Sequence, residues 1–472
     1  MKLERYFENS KILHVGCEEN RAYYIPFSES KNAIDLPREK SDRFISLNGE
    51  WKFKLYKNIY EHENLFEDWT GFDTIPVPSC WQNYGYDTHQ YTNIRYPFPF
   101  DPPYVPHDNP CGAYARTFDC DMSEDKYYLN FEGVDSCFYV WVNDEFVGYS
   151  QVSHCTSEFD ITDKLKKGAN KLYVLVLKWC NGSYLEDQDK FRMSGIFRDV
   201  YILARPENHV RDFFIKTSLN GAVSIELDGP DASIELYDKE ILLESAKSVN
   251  GRAELKIDNP KLWSAECPYL YDLVIKSYGE VIIQHIGFRE ISVNDGIVYV
   301  NGVKVKMFGI NRHDSNPVTG YTISPEQALV DLKLMKEHNI NAIRTSHYPN
   351  SPWFTELCDQ YGFYIISDSD IECHGCVTNG SSDEQRINLI ADSDMFSEAI
   401  LDRVQKNVIR DKNRTSVLIW SLGNEAGYGK GFQTALEWIK KYDTSRLTHY
   451  ENIGTSINDD VKLLDVRSTM YA

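Results

Sequence analysis

The chain has 472 residues, of which 50 are Lys or Arg and 71 are Asp or Glu, so its formal net charge is −21 at pH 7. This length is enough for about three domains. The negative charge argues against nucleic acid or an anionic membrane surface as a partner. The first residues contain no apolar run of signal-peptide length, and no stretch is long enough to span a bilayer. We therefore expect a soluble, cytoplasmic protein.

The eleven cysteines are an odd number and are scattered from Cys17 to Cys376, so a disulfide framework is not expected in this compartment. Cys373 and Cys376 form one C-x-x-C pair. Structural zinc needs a second pair or a Cys/His set at defined spacing, and the sequence has no second C-x-x-C. We favour the interpretation in which His374, between the two thiols, is functional and the thiols are incidental.

The region from residue 47 to residue 203 reads as short strands separated by turn signals such as Asn48-Gly49 and Lys167-Gly168. Strand-like runs include residues 138–142 and 172–177. Short strands at this spacing predict an all-β sandwich, with a jelly roll as the favoured kind. We assign residues 1–205 to an N-terminal segment and this jelly-roll domain.

A second β region follows, with strand-like runs at residues 223–227, 232–237 and 253–257. Its size predicts an immunoglobulin-like β-sandwich over residues 206–294.

After residue 295 the pattern changes to alternating strands and helices. Strands are predicted at residues 305–310, 341–344, 363–366, 417–420, 447–450 and 466–471. Ser324, Pro325 and Gln327 form a capping box that begins one helix, and a second helix over residues 352–361 is closed by Gly362. Repeated βα units predict a parallel sheet. Six strands fall short of the eight of a closed barrel, so residues 295–472 are expected to form an incomplete (β/α)8 TIM barrel.

Polar residues stand at or just past the C-terminal end of these strands, where barrel enzymes keep their chemistry. They are Asn311, Arg312, His313, Arg344, Ser346, His347, Tyr348, Glu372, His374, Asn424, Glu425 and Tyr471. A single histidine of this kind is more often a core residue whose ring nitrogens are hydrogen bonded than a functional residue. The prediction of a site therefore rests on the convergence of all these residues at one rim.

Glu372 and His374 are two residues apart, so in an extended segment their side chains point the same way. With Glu425 from the next strand they make a candidate site for a hard divalent cation such as Mg²⁺. A carboxylate–imidazole hydrogen bond with no metal is the alternative, and the spacing leaves both open.

Glu425 follows an apolar run that is typical of a buried parallel strand. A carboxyl group at that position can act as general acid/base in glycoside hydrolysis, while Asn424 can donate a hydrogen bond to a sugar hydroxyl. The alternative is a helix-capping or salt-bridged glutamate. Upstream, residues 91–93 and 184–189 would pass for ordinary polar loops if they stood alone.

The chain resembles the bacterial β-galactosidases of glycoside hydrolase family 2 over nearly its whole length. The matching stretches are Leu47-Asn-Gly-Glu-Trp51, Tyr91-Thr-Asn93, Ser183-Tyr-Leu-Glu-Asp-Gln-Asp189, Arg192-Met-Ser-Gly-Ile-Phe-Arg-Asp-Val200, Gly287-Phe-Arg289, Gly309-Ile-Asn-Arg-His313, Ser346-His-Tyr-Pro-Asn350, Ile371-Glu-Cys-His-Gly375 and Trp420-Ser-Leu-Gly-Asn-Glu425. The resemblance implies a jelly-roll domain, an immunoglobulin-like domain and a barrel that together hydrolyse terminal β-galactosides, such as lactose, with retention.

The resemblance also implies roles for individual residues. Glu425 corresponds to the acid/base, and Glu372, His374 and Glu425 to the ligands of Mg²⁺. The residues that correspond to substrate contacts are Asn93, Asp189, His313, His347 and Asn424. Asp189 also corresponds to a Na⁺ ligand, and Tyr471 to the tyrosine that assists the nucleophile. The run Ser367-Asp-Ser-Asp370 departs from the family's usual Asp-Glu-Ala-Asn.

In this family the nucleophilic glutamate lies on the strand after the last one that we predict. We therefore expect this polypeptide to lack the nucleophile, to be inactive alone, and to need a C-terminal chain or subunit that completes the barrel, with a homo-oligomer expected for the complete protein. The first alternative is a non-catalytic carbohydrate-binding protein. The second is a β-glucuronidase or β-mannosidase of the same superfamily, which Tyr91-Thr-Asn93 and Asp189 disfavour.

Overall fold

The structure is a computed structural model, and it describes residues 3–28, 36–61, 69–93, 95–378, 388–451 and 463–467. Tyr471, which was predicted to assist the nucleophile, lies outside the described residues. Among the residues described, no helix is both long enough and apolar enough to cross a membrane.

The first unit is the predicted jelly-roll sandwich of two antiparallel sheets. Its strands are β1 (Phe44–Ser46), β2 (Gly49–Tyr56), β3 (Asp73–Val77), β4 (Cys111–Cys120), β5 (Lys126–Phe131), β6 (Val134–Asp135), β7 (Cys137–Val142), β8 (Glu145–Gln151), β9 (Ser157–Asp160), β10 (Gly168–Leu177), β11 (Gly195–Ile196) and β12 (Val200–Arg205). The two main sheets have the strand orders β1-β12-β5-β9 and β3-β2-β4-β10-β7-β8. In β2, Trp51 and Phe53 are buried while Lys52 and Lys54 face solvent, as the period of a half-buried strand requires.

The second unit is a smaller sandwich with the immunoglobulin-like organisation that the sequence predicts. Its strands are β13 (Asp212–Thr217), β14 (Ala222–Asp228), β15 (Ser233–Asp238), β16 (Ile241–Lys247), β17 (Arg252–Lys256), β18 (Tyr271–Ser277) and β19 (Glu280–Ile286). They form sheets of order β13-β14-β17 and β16-β15-β18-β19. Between the sheets, residues such as Ile225, Leu236 and Leu273 make one apolar core.

The third unit is a parallel α/β array. A small antiparallel sheet precedes it, made of β20 (Ile291–Asn294), β21 (Ile297–Val300) and β22 (Val303–Lys304). The parallel strands are β23 (Gly309–Arg312), β24 (Ala342–Thr345), β25 (Tyr364–Asp368), β26 (Val417–Ser421), β27 (Leu447–Tyr450) and β28 (Val466–Arg467). The helices with described bounds are α1 (Pro325–Glu337), α2 (Pro352–Tyr361), α3 (Ser397–Asp411) and α4 (Lys430–Tyr442).

The six parallel strands pair in chain order, with β23 and β28 at the two ends of the described sheet. Every residue of β26 is buried, as expected for a strand covered on both faces. The capping box of α1 is present, because Ser324 Oγ accepts from the backbone N–H of Gln327 and Gln327 Oε1 accepts from that of Ser324. Helix α2 has the predicted bounds and ends at Gly362, whose φ of 76° is left-handed.

The first barrel strand was predicted at residues 305–310; the strand is present, but its predicted bounds were wrong. Val303 and Lys304 instead pair with β21, residues 305–308 form no strand, and pairing with β24 begins at Gly309. Apolar composition cannot mark where a parallel strand starts, since that point depends on the backbone of a neighbour 33 residues away, as the pair Gly309 and Ala342 shows.

Candidate active site

The candidate site lies at the C-terminal ends of the parallel strands, where a loop of the jelly-roll sandwich joins the rim. The backbone N–H of Glu372 donates to Leu185 O at 2.8 Å, and the N–H of Asp187 donates to Glu372 O at 3.0 Å. On the other side, the N–H of Asn424 donates to Ile371 O at 2.9 Å. Three chain segments that are far apart in sequence are thus held edge to edge, with Glu372 in the middle.

Glu372, His374 and Glu425 converge at this edge. One potential ligand atom from each residue lies within 4.8 Å of the others. The Nδ1 atom of His374 is 2.8 Å from Oε2 of Glu425. Both glutamates are buried and His374 is partly exposed. Glu425 has a φ of 41°, in the left-handed region that a glutamate rarely adopts, so its backbone is held in a strained conformation at the position predicted for the acid.

The charges of Glu372, His374 and Glu425 favour the binding of a positively charged group. Burial raises the pKa of Glu372 well above its ordinary value, and the nearby carboxylates of Glu425 and Asp187 raise it further, although a hydrogen bond from Asn424 opposes them. The pKa of His374 is also raised, chiefly by its hydrogen bond to Glu425. Each raised pKa means that binding a proton or a cation stabilises the cluster.

The same residues fit a divalent metal ion in a second respect. Oε1 of Glu425 is buried and has no hydrogen-bond partner among the residues that the structure describes. A buried carboxylate oxygen without a partner is costly, and a coordinated ion removes that cost. Two carboxylates and one imidazole suit a hard cation that keeps several waters. No other group of three or more such residues occurs in the described part of the chain.

Asn424 is fixed by a network of charged side chains. Its Nδ2 donates to Glu372 Oε2 at 3.0 Å, and its Oδ1 accepts from Arg344 at 3.2 Å. Arg344 also pairs with Asp368 at 2.8 Å, and Asp368 lies 2.9 Å from Nδ1 of His347. Burial alone would raise the pKa of Asp368, but Arg344 and His347 lower it to about 2. The amide orientation of Asn424 therefore follows from a chain of contacts that crosses three strands.

His313 and His347 face each other at this rim, with ring centroids 5.7 Å apart and ring planes at 86°. Nδ1 of His313 lies 3.2 Å from the Tyr348 hydroxyl. Burial, with Lys190 and His347 nearby, lowers the pKa of His313 to about 3. His313 is therefore neutral at ordinary pH. Its contact with Tyr348 allows either direction of donation, and the tautomer in which the hydroxyl donates to Nδ1 keeps Nε2–H free to donate.

Behind these histidines lies a buried group centred on Lys190. Its ammonium sits between the rings of Tyr321 and Tyr348, 4.0 and 4.1 Å from their centroids, and Nζ is 2.9 Å from His154 Nε2. His154 stacks on Tyr348 at 3.8 Å, and its Nδ1 is 2.9 Å from Asp370 Oδ2. Since the ammonium can only donate, His154 accepts at Nε2 and carries its proton at Nδ1, toward Asp370.

Comparison with known families identifies all three units. The sequence matches the family models described as glycosyl hydrolases family 2, sugar binding domain, over residues 44–206, glycosyl hydrolases family 2 over residues 208–289, and glycosyl hydrolases family 2, TIM barrel domain, over residues 291–472. The chain belongs to glycosyl hydrolases family 2.

Curated relatives in this family carry the name beta-galactosidase. One from Actinobacillus pleuropneumoniae is 48% identical and matches 100% of this chain and 50% of its own length. Another from Staphylococcus xylosus is 44% identical, over 100% of this chain and 49% of its own length. The chain thus spans about half the length of these curated relatives.

Two solved structures share the fold of this chain. The beta-glucuronidase of Ruminococcus gnavus in complex with uronic isofagomine aligns with a TM-score of 0.79 at 20% identity, covering 96% of this chain and 79% of its own. The enzyme of Dictyoglomus thermophilum aligns with a TM-score of 0.70 at 21% identity, covering 86% and 72%. At this identity the likeness shows the fold alone.

The remaining predicted residues of this family 2 chain lie in the jelly-roll sandwich. Asp189 is exposed, and its carboxylate is near enough to Tyr91 and His374 to raise the pKa of both side chains. Asn93 is exposed in a turn with a φ of 50° and makes no side-chain hydrogen bond within the described ranges. Asp189 thus lies within electrostatic range of His374, whereas Asn93 has no side-chain hydrogen bond to a described residue of the cluster of Glu372, His374 and Glu425.

Several rim residues were not assigned a role from the sequence. They are His154, Asp187, Lys190, Asp368, Asp370, His449 and Glu451. Asp368 and His449 stand at or just past the ends of predicted strands, and that position was a usable sequence signal. In the structure, His449 Nδ1 lies 2.9 Å from Ser421 Oγ, and Glu451 lies 3.8 Å from Arg344. For Lys190 and His154 the sequence carries no such signal, because they meet each other across two loops and their contacts with Asp370, Tyr321 and Tyr348 cross domains.

Proposed function

We propose that the protein is a retaining β-galactosidase that cleaves terminal β-D-galactose residues, with Glu425 as acid/base. The observation that carries the proposal is the convergence of Glu425, His374 and Glu372 within 4.8 Å at the carboxyl ends of the strands. The names of relatives 44–48% identical over the whole chain support galactose as the sugar. A retaining reaction needs two carboxyl groups about 5–5.5 Å apart, and we assign the second one to a residue outside the described residues.

In this proposal Glu425 donates a proton to the leaving oxygen and later removes one from the attacking water. His374, 2.8 Å away, holds the Glu425 carboxyl group in place. Asn424, fixed by Arg344 and Glu372, presents its amide to a sugar hydroxyl. His313, neutral at working pH, donates from Nε2 to a second hydroxyl.

Glu372, His374 and Glu425 would hold Mg²⁺, which supplies positive charge that offsets the buried carboxylates. Asp189 is the proposed ligand of Na⁺, on the strength of its place in the matched motif alone. A cytoplasmic location, a homo-oligomeric assembly and a C-terminal chain or subunit that supplies the rest of the barrel stay predictions from the sequence.

A β-glucuronidase is the second candidate, because the solved structures of similar fold bear that name. The two candidates differ in the group at C6 of the sugar.

The test compares kcat/KM for 4-nitrophenyl β-D-galactoside and β-D-glucuronide on the protein expressed at its full natural length. We expect the galactoside to be preferred by at least about a hundredfold. A preference for the glucuronide would replace the proposed substrate, and hydrolysis of neither would favour a non-catalytic carbohydrate-binding protein.

A further inference from the structure

A pocket of about 170 Å³ lies between the immunoglobulin-like sandwich and the amino ends of the barrel strands, on the side opposite Glu425. It is lined by β13, by the segment after β19 that contains Gly287-Phe-Arg289, and by the turns that precede β26 and β27. The proposed hydrolase chemistry gives no role to this motif or to this pocket.

Arg289, which lines this pocket, differs from the other buried arginines in its ion-pair partners. Ten other arginines of the described chain are also buried. Each of those has a carboxylate within 4.0 Å, as in the pairs of Arg205 with Glu280 at 2.6 Å and Arg403 with Glu186 at 2.6 Å. Arg289 has none among the described residues. Buried charges in proteins are normally paired, and Arg289 lacks a carboxylate in ion-pair contact, although Asp443 and Asp359 lie near enough to act on its pKa.

The contacts of Arg289 leave part of its guanidinium unused. Nε donates to Thr415 O at 2.7 Å and Nη2 donates to Val417 O at 2.8 Å. Nη1 donates no hydrogen bond to any group that the structure describes. An arginine that lines a pocket, with two nitrogens held by the backbone and a third without a partner among the described residues, is pre-organised for an acceptor with several oxygens.

A second guanidinium adds positive charge at the same point. Arg446 Nε donates to the same carbonyl, Val417 O, at 2.9 Å. Arg446 is matched by Asp443 at 2.8 Å, and that carboxylate also accepts from Trp420 at 2.9 Å. Burial, followed by the charge of Arg446, lowers the pKa of Arg289 to about 9. The more distant carboxylates of Asp443 and Asp359 oppose this shift but do not cancel it.

The walls of the pocket set the kind of ligand. Lys216 is an exposed lining residue that brings a further positive charge, and Glu290 is an exposed lining residue that opposes it. At roughly 30 Å³ for each water-sized group, the volume holds a ligand of about five heavy atoms. We propose that this pocket binds a small tetrahedral oxyanion, of the phosphate or sulfate class, on the Nη1 side of Arg289. This inference does not depend on the sugar that the protein cleaves.

The test uses isothermal titration calorimetry of inorganic phosphate, and separately of sulfate, into the folded full-length protein at constant ionic strength set with sodium chloride. We expect one site per chain for at least one of the two anions. Lys216→Met should weaken that binding about three- to tenfold, while Glu290→Gln should tighten it, because the first removes an attractive charge and the second a repulsive one. Lys247→Met, at an exposed lysine of the same sandwich, serves as the matched control and should leave binding unchanged.

Arg289→Met should abolish the binding. Because Arg289 also joins the sandwich to the barrel, this variant can fail to fold, and the anomalous difference density of crystals soaked in tungstate then locates the anion in the wild-type protein. A peak beside Arg289 supports the site. No saturable heat for either phosphate or sulfate, an unchanged affinity in Lys216→Met and Glu290→Gln, or tungstate bound only elsewhere would overturn it.

Discussion

His374 Nδ1 lies 2.8 Å from Glu425 Oε2, although the two residues follow different strands and are separated by 50 intervening residues. The contact is made because β25 and β26 are parallel neighbours, so the loops after them leave the sheet at the same edge. Glu425 itself has a left-handed φ of 41° at the start of its loop. One pair of residues thus connects the sheet topology to the proposed chemistry.

Glu372→Gln should weaken the binding of Mg²⁺ at least tenfold, because it replaces a buried carboxylate ligand by a neutral amide. Isothermal titration calorimetry of Mg²⁺ into the full-length protein measures this. Glu337→Gln, at an exposed glutamate near the end of α1, is the control and should bind Mg²⁺ as the wild type does. Equal affinity in Glu372→Gln and the wild type would mean that the cluster is a hydrogen-bonded carboxylate–imidazole pair without a metal.

Asp368→Asn should destabilise the protein by about 3 kcal/mol at pH 7, because it leaves Arg344 buried without its carboxylate. Part of this difference in the free energy of unfolding between the wild type and Asp368→Asn depends on pH. The folded pKa of Asp368 is about 2 against an ordinary 3.8, so its ionised form contributes about 2 kcal/mol above pH 3.8 that is lost as pH falls toward 2.

Thermal unfolding of the wild type and of Asp368→Asn, followed from pH 7 to pH 3, checks this prediction. The difference in stability should be constant above about pH 5 and should narrow below it. Asp258→Asn, at an exposed aspartate, should track the wild type throughout. A difference that grows as the pH falls would contradict the assigned direction of the shift.

Lys190→Met should raise KM for aryl galactosides and change kcat little. The ammonium holds His154 at 2.9 Å and packs against Tyr348, whose hydroxyl contacts His313. Its loss frees His313 to change its hydrogen bond, and we expect a cost of about 1 kcal/mol, or roughly fivefold in kcat/KM. Lys190→Arg keeps the charge between the two rings and should recover part of the loss. A fall in thermal stability with unchanged KM would assign Lys190 a structural role only.

Much of the fold could be predicted because its signals are local. The bounds of α2 follow from Pro352 and Gly362, which act within one turn of the helix. The start of β23 could not be predicted, since it is set by pairing with Ala342 rather than by the apolar run before it. Where a strand begins because it pairs with a segment far away in the chain, the sequence of the strand itself contains no signal for that boundary.

The candidate site divides in the same way. Glu372, His374 and Glu425 stand at the ends of recognisable strands, so their convergence could be expected from the topology of a parallel sheet. The group of Lys190, His154 and Asp370 combines two loops of the jelly-roll sandwich with one of the barrel. Only the packing of two domains brings Asp370 to the other two side chains, and no spacing within either domain indicates this contact.

The most direct measurement of the central claim is the dependence of kcat/KM on the leaving group in Glu425→Gln. Protonation by Glu425 is needed for a poor leaving group and hardly at all for an activated phenol. We predict that Glu425→Gln slows lactose and alkyl galactosides by roughly a hundredfold or more, and 2,4-dinitrophenyl β-D-galactoside far less. Equal slowing of both substrates in the full-length protein would contradict the assignment of Glu425 as the acid, and with it the proposed account of the site.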